Sequence, residues 1–320
     1  MKILVTGCGG EIGLGIGRIL QKENITSSII GCDIHEDHAG TFVFNRVEII
    51  SRADSSTYLD SINCLIKKYN IDVVIPTSEP ELRVLAINEL YKKVASKIIM
   101  ANPQALEVGF DKLATAEMLR INNLPYPWTM PVKEGNPREL PCIIKGRFGS
   151  GSRNISVVEN DLLEFYTIHR QQDIWQEYLT PDDQEFTCGL FRSASGETRT
   201  ITIRRVLKGD HTVSGEVVEN NDIDDLLISI ANVLQLTGSI NVQLRLANNR
   251  PVVFEINPRF SSTVVFRHIL GFKDLIWCLE DKEKKPISKY LPPKPGTRFY
   301  RGDTEYIKLP YSDKEEVNYV

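Results

Sequence analysis

The sequence predicts an α/β first part followed by an α+β remainder, and three observations carry this expectation. Apolar runs of strand length alternate with helix-period segments over the first hundred residues. A glycine-rich turn, Thr6-Gly7-Cys8-Gly9-Gly10-Glu11-Ile12-Gly13, joins the first of those strands to the first helix. From Pro141 onward the texture changes to short strands separated by glycine turns. Strand–helix alternation indicates a parallel sheet with right-handed crossovers, whereas closely spaced short strands form antiparallel pairs.

The elements follow in order. Residues 2 to 6 read as a strand, 12 to 23 as a helix, 28 to 32 as a strand and 59 to 69 as a helix. Asp72-Val73-Val74-Ile75-Pro76 is a buried strand, residues 82 to 93 a helix, and 97 to 100 a fourth strand. This first unit covers residues 1–104. A helix opens at Phe110-Asp111-Lys112, with Asp111 as N-cap, and stops at Asn122-Asn123. Strands at 142–145 and 155–158 flank a loop at 146–152, and a helix at 161–170 with a strand at 174–179 completes a second unit, 105–180. The third unit, 181–285, holds antiparallel strands within 185–217, a helix at 223–236, strands at 240–246 and 251–256, and a helix from about 262. Five prolines mark 286–320 as an irregular extension.

Bulk properties narrow the function classes. The 320 residues can bury cores for two or three subdomains. A hydrophobic content of 42% with 25% charged residues suits a soluble globular enzyme. The net charge of -4 gives no basic face for nucleic acid. No apolar run approaches the roughly 20 residues that cross a bilayer, so no membrane partner is expected. No signal-peptide core is visible, and six scattered cysteines without a C-x-x-C pair suit a reducing cytoplasm. His35 and His38 form a pair of loop histidines without cysteine partners, a pattern met more often as solvated side chains than as a metal site.

The T-G-x-x-G-x-x-G spacing is that of short-chain dehydrogenases and sugar epimerases, and Asp33 ends the second strand where such enzymes hold a ribose. Such an enzyme also needs a tyrosine with a lysine four residues later on one helical face. Tyr290 and Lys294 have that spacing, but Pro292 and Pro293 lie between them and no helix runs through such a pair. The glycine turn therefore reads as fold geometry, because it lets a helix approach a strand whether or not a pyrophosphate is bound.

The chemistry sits near residues 240–260. In Val252-Val253-Phe254-Glu255-Ile256-Asn257-Pro258-Arg259, strand alternation sends Glu255 and Asn257 to one face and Phe254 and Ile256 into a core. On the preceding strand Val242, Leu244 and Leu246 face that core and Gln243 does not. A three-residue turn, Asn248-Asn249-Arg250, pairs Gln243 with Glu255 on one face, while a two-residue turn flips it to the other. Oxygen donors gathered in this way suit magnesium held together with nucleotide phosphates. A polar outer hairpin face is the competing reading.

Glu-x-Asn-Pro-Arg after an apolar strand, with Asn-x-Gln upstream, resembles the ATP-grasp superfamily, most nearly its branch similar to the carbamoyl-phosphate synthase large subunit, here with a single grasp unit. The resemblance spans about residues 1 to 280 and implies a Rossmann-like first domain without a dinucleotide, followed by an ATP-grasp fold of two α+β subdomains. It implies ATP phosphate contacts for Lys112, for Lys145 and for the loop containing Gly149, Ser150 and Gly151. It also implies adenine contacts at the hinge Glu177-Tyr178-Leu179, a ribose contact for Glu185, and two magnesium ions (manganese as substitute) on Gln243, Glu255 and Asn257. Lys112, Lys145 and Arg259 then stabilise transition-state charge. The implied activity is an ADP-forming carboxylate–amine ligase that passes through an acyl phosphate. A homodimer is compatible with the resemblance. A nucleotide-binding regulatory protein without turnover and an NAD(P)-dependent sugar oxidoreductase or epimerase are the alternatives. The absence of a second synthase-like half and of a glutaminase leads us to expect a stand-alone ligase.

Small-molecule substrates, a carboxylate and an amine, are expected beyond the strand carboxyl ends of the first sheet. Gly9, Gly10 and Glu11 fall there, as do Glu79 and Glu81. Either glutamate can hold an acceptor ammonium or simply stabilise a helix N-terminus. Arg204 and Arg205 alternate faces, so one of them can clamp a carboxylate, with solvated strand charges as the alternative. Ser261 lies just past the Arg259 turn.

Overall fold

The computed structural model describes residues 1–87, 98–149, 154–181, 183–209 and 211–302. β1 (Lys2–Thr6), β2 (Ser28–Asp33), β3 (Arg46–Ile49) and β4 (Val73–Ile75) form a parallel sheet ordered β3-β2-β1-β4. α1 (Glu11–Glu23), α2 (Tyr58–Tyr69) and α3 (Glu79–Ile87) supply its connecting helices. β3 escapes the sequence reading because it is an edge strand with no fully buried residue and so no apolar run. α3 starts three residues earlier than its apolar period suggests, because Ser78 donates through N and Oγ to Glu81 Oε2 (3.3 and 2.6 Å) and closes the first turn. The later part of that expected helix, up to 93, lies outside the described residues. Of the expected strand at 97–100, Ile98 forms a parallel bridge to Val74.

α4 (Pro103–Phe110) leads directly into α5 (Lys112–Ile121), with Asp111 between them. A small antiparallel sheet follows, built from β5 (Thr129–Pro131), β6 (Cys142–Gly146), β7 (Ser156–Val158) and β8 (Asp173–Glu177) in the order β5-β8-β6-β7. α6 (Asn160–His169) packs on it through Leu163 and Tyr166. The sheet keeps a core of its own, centred on Trp128, Ile144 and Trp175.

The third sheet is antiparallel and six-stranded, ordered β13-β12-β9-β10-β11-β14. Its strands are β9 (Glu185–Arg192), β10 (Thr198–Lys208), β11 (His211–Val217), β12 (Gly238–Ala247), β13 (Arg250–Asn257) and β14 (Arg298–Tyr300). β14 comes from the proline-rich stretch and is fixed by Phe299 stacking on Phe266 at 4.2 Å. α7 (Asn221–Val233) covers one face through Leu227 and Ile230 against Ile240 and Val242. α8 (Val264–Ile269) and α9 (Asp274–Lys282) pack toward the other, and their core is continuous with the first sheet: Ile3, Ile16 and Leu20 share it with Phe191, Phe260 and Trp277. Glu23 at the end of α1 ties the two together, since its Oε1 lies 2.9 Å from both His268 Nε2 and Lys273 Nζ.

The β12–β13 hairpin corrects one expectation and keeps its consequence. The turn has two residues, Asn248 and Asn249, with φ of 51° and 61°, rather than three. Such a turn matches the strand twist but would put Gln243 on the wrong face. A register slip repairs this, because Leu244 pairs with Val253 while Gln243 pairs with Glu255. Phe254 is thus the bulged residue. It lies outside the core where alternation had placed it, and Asn241 comes opposite Asn257.

Asn249→Val is expected to lower stability by about 1–2 kcal/mol, the cost of left-handed backbone for a branched residue, whereas Asn249→Gly should leave it nearly unchanged. Urea unfolding monitored by tryptophan fluorescence separates the two.

Candidate active site

The site is built where the small sheet faces the six-stranded one. Asp111 sits at the junction. Its Oδ1 accepts the N–H of Leu113 at 3.0 Å as N-cap, and its carboxylate takes a bidentate grip on Arg147, with Nε at 2.9 Å from Oδ1 and Nη2 at 2.6 Å from Oδ2. Arg147 in turn offers its carbonyl to the N–H of Lys112 (3.1 Å). The glycine loop after β6 is therefore anchored to the start of α5. Burial raises the Asp111 carboxyl, but Arg147 and the backbone N–H groups more than offset this and hold it below its ordinary value of 3.8.

Lys112 and Lys145 converge on Glu255. Lys112 Nζ donates to the Gly149 carbonyl at 2.6 Å and lies 3.5 Å from Glu255 Oε1. Lys145 is buried, donates to the carbonyl of the bulged Phe254 at 3.3 Å and stands 5.5 Å over its ring. Burial pushes the Lys145 ammonium down to about 8. Glu255 and Glu185 work against that shift, and Lys112 adds to it. Two cations thus lie near one carboxylate in a largely buried corner.

Around them runs an arginine–oxygen network. Glu185 accepts from Arg205 Nε (2.9 Å) and from Arg245 Nη2 (2.7 Å). Arg205 also donates to Gln243 Oε1 at 3.0 Å. Arg204 turns the other way, to Glu216 at 3.2 Å, and is half-exposed. Asn257 is buried, and its Oδ1 lies 3.4 Å from Arg259 Nη2. Burial lowers the Arg259 guanidinium, which Glu255, Glu79 and Glu11 counter. Gln243, Glu255 and Asn257 accordingly offer amide and carboxylate oxygens on one face, a donor set that suits a hard divalent ion.

The remaining expected residues are distributed as follows. At the hinge, Glu177 donates its N–H to the Trp128 carbonyl (2.9 Å) and accepts from Trp128 N through Oε2 (3.1 Å). Tyr178 follows, and the Leu179 carbonyl accepts from Arg245 at 2.5 Å. Ser150 and Gly151 lie outside the described residues. Glu79 pairs with Arg83 at 2.6 Å, while Glu81 is buried. Ser261 accepts from Thr263 through N and Oγ1 (3.2 and 2.9 Å). Gly9, Gly10 and Glu11 line a cavity of roughly 850 Å³ that extends to Arg259. In the glycine turn a Cβ on Gly13 would sit 2.2 Å from the Gly7 carbonyl oxygen, so close packing alone explains that glycine. Asp33 Oδ2 accepts the N–H of Gly9 at 2.9 Å, and Tyr290 donates its hydroxyl to the Thr200 carbonyl outside any helix.

Sequence reasoning missed Arg267. It is fully buried, donates to Asn241 Oδ1 and to Thr187 Oγ1 (3.3 Å), and is pushed down to about 10 by burial against the pull of Asp274. Its position on a short apolar helix gave no signal. Arg147 and Arg245 were missed because their carboxylate partners lie 36 and 60 residues away.

The family model of the ATP-grasp domain matches residues 110–263, and that of the PylC-like N-terminal domain matches residues 3–99. Residues 110–263 are an ATP-grasp domain. It is 25% identical over 234 residues to the carbamoyl phosphate synthase large chain of Thermoplasma acidophilum, covering 63% of this chain and 22% of that one, so it spans about a fifth of that relative's length. Two solved structures share the ATP-grasp fold. N5-carboxyaminoimidazole synthetase of Staphylococcus aureus superposes with a TM-score of 0.72 at 18% identity, covering 90% of this chain and 78% of that one. L-amino acid ligase of Bacillus licheniformis gives 0.71 at 14%, covering 88% and 74%. Among the described residues, no helix is long and apolar enough to cross a membrane.

Because the folded-state pKa of Asp111 is depressed, its contribution to stability is present above the ordinary carboxylate range and is lost as pH falls through the folded value. Asp111→Asn, which preserves the cap but not the charge, is expected to flatten the acid limb of stability below about pH 4. Urea midpoints measured across pH check this.

Proposed function

We propose that this chain is an ADP-forming ATP-dependent ligase that joins a carboxylate to an amine. The observation that carries the reading is the gathering of Gln243, Glu255 and Asn257 beside Lys112, Lys145 and Arg259 within an ATP-grasp fold. A pure nucleotide-binding protein needs fewer oxygen donors than this.

The physical problem is charge, since an anionic carboxylate must reach an anionic γ-phosphate. Magnesium or manganese ions, on the oxygens of Gln243, Glu255 and Asn257, would neutralise the triphosphate and orient it. Lys112 and Lys145 now point at Glu255 and a carbonyl, and both are within reach of phosphates placed there. Gly149 and its loop cover them, Glu177-Tyr178-Leu179 offers backbone to adenine, and Glu185 faces the ribose. Arg205 and Arg259 supply fixed positive charge where the transition state spreads negative charge. The carboxylate oxygen attacks the γ-phosphorus and the bond to ADP breaks, giving an acyl phosphate. The neutral amine then attacks the acyl carbon, phosphate leaves, and the nitrogen gives up a proton. The small sheet, closing over the site, keeps water from that intermediate.

A screen that crosses a panel of carboxylic acids with a panel of amines, ammonia included, and reads ADP release tests the reading. Glu255→Ala is expected to reduce ADP formation by about 1,000-fold or more while the melting temperature stays within a few degrees. Turnover at the native level in that variant would remove Glu255 from the site, and NAD(P)H binding without any ADP release would overturn the ligase reading.

A further inference from the structure

Beyond the strand ends of the first sheet, the 850 Å³ cavity has a charge balance of its own. Glu11, Asp33, Asp37, Asp54 and Glu81 line it with Arg52 and Arg259; Arg52 pairs with Asp54 at 3.3 Å, and Arg301 pairs with Glu11 at 2.5 Å. Two of the carboxylates are satisfied by neutral donors alone. Asp33 accepts the N–H groups of Gly9 (2.9 Å) and Ile34 (2.7 Å). Glu81 accepts the hydroxyls of Thr6 (2.9 Å), Tyr58 (3.0 Å) and Ser78 (2.6 Å). Among the described residues no ammonium or guanidinium pairs with either. Hydrogen bonds from neutral groups orient a carboxylate but leave its charge uncancelled; burial accordingly raises the Glu81 carboxyl against those bonds, and an incoming cation would hold it ionised.

The surrounding groups register that field. Burial first, then the negative charge of Asp33 and Glu81, push the Cys8 thiol up to about 12 and raise the Cys32 thiol as well. Burial and Glu81 together raise the Tyr58 phenol. From the geometry we infer that this cavity binds an organic ammonium, the cationic group of the amine substrate, with Asp33 and Glu81 as its counter-charges. The inference rests on the ligase reading for the word substrate. Arg259, whose Nη2 lies 3.4 Å from Asn257 Oδ1, also lines this cavity, so an occupant held at Asp33 and Glu81 shares a wall with the phosphoryl-transfer site.

A metal is the competing cation, because Cys8, Asp33 and His38 gather their ligand atoms within 4.8 Å of one another. Hydrogen bonding argues against it. His38 Nδ1 accepts the N–H of Gly40 at 3.1 Å, so the neutral ring carries its proton on Nε2, which faces Cys8 Sγ at 3.8 Å. With the proton on Nε2, the ring turns no free lone pair toward Cys8 and Asp33.

Calorimetric titration of the ATP-free protein with putrescine, ethanolamine and glutarate tests the inference. Both amines should bind and glutarate should not, and Asp33→Asn should weaken amine affinity roughly tenfold, as expected for one lost charge-assisted contact. Glu81→Gln should act in the same direction. Since Glu81 also closes the first turn of α3, Asp33→Asn is the deciding variant, with thermal melts to show that it is folded. Absence of amine binding, preferential glutarate binding, amine affinity unchanged in Asp33→Asn, or stoichiometric Zn²⁺ that displaces the amines would each overturn it. Amine binding without ADP release across the whole substrate panel would leave the pocket standing and remove the ligase reading. ADP release with no amine bound in the cavity would do the reverse.

Discussion

Between Gln243 and Leu244 the pairing of β12 with β13 slips by one residue, and nearly every polar feature of the site follows from that slip. A strand has only two faces, so a two-residue turn with unbroken register would have sent Glu255 and Asn257 into the apolar layer under α7. The bulge absorbs the odd residue, keeps Val253 and Ile256 in that layer, and returns three oxygen-bearing side chains to the open face. It also turns the Phe254 carbonyl and ring toward Lys145, which gives a buried ammonium the partner that its burial demands.

Charge is divided unequally on the two sides of Arg259. Toward the small sheet, cations outnumber the carboxylates near them: Lys112 pairs with Glu255, whose charge also acts on Lys145, and Arg205 and Arg245 share Glu185. Toward the first sheet the excess is acidic. Such a gradient suits a reaction that brings a polyanion and a cation to one point from opposite directions. The half-buried Arg259, whose Nη2 reaches Asn257, marks the boundary.

Much of this was legible in the sequence wherever the determining contacts are local or periodic. The alternating first sheet, the Asp111 cap and the partnership of Gln243 with Glu255 all rest on short-range patterns. The turn length was misjudged because Asn-Asn gives no hint of the compensating bulge at Phe254, five residues further along the chain. β3 was invisible because an edge strand needs no apolar run. The arginine network could not be read for a different reason: a guanidinium chooses its carboxylate in space, and Arg147, Arg245 and Arg267 reach partners far along the chain. Asp111 and Arg147 do stand within two residues of the quoted lysines, so the proximity was there to be noticed, but not the bond.

The first sheet and the six-stranded sheet draw on one uninterrupted apolar core, from Ile3 and Leu20 through to Phe191 and Trp277, and are latched again at Glu23. Prising them apart would wet all of those side chains at once. The four-stranded sheet around Trp128 and Trp175 has a separate interior, and leans on the rest through a few polar bonds such as those of Lys112 and Lys145. In the proposed ligase, admission and release of the nucleotide would fall to this lighter piece, with the acidic cavity and the oxygen donors carried on the shared core.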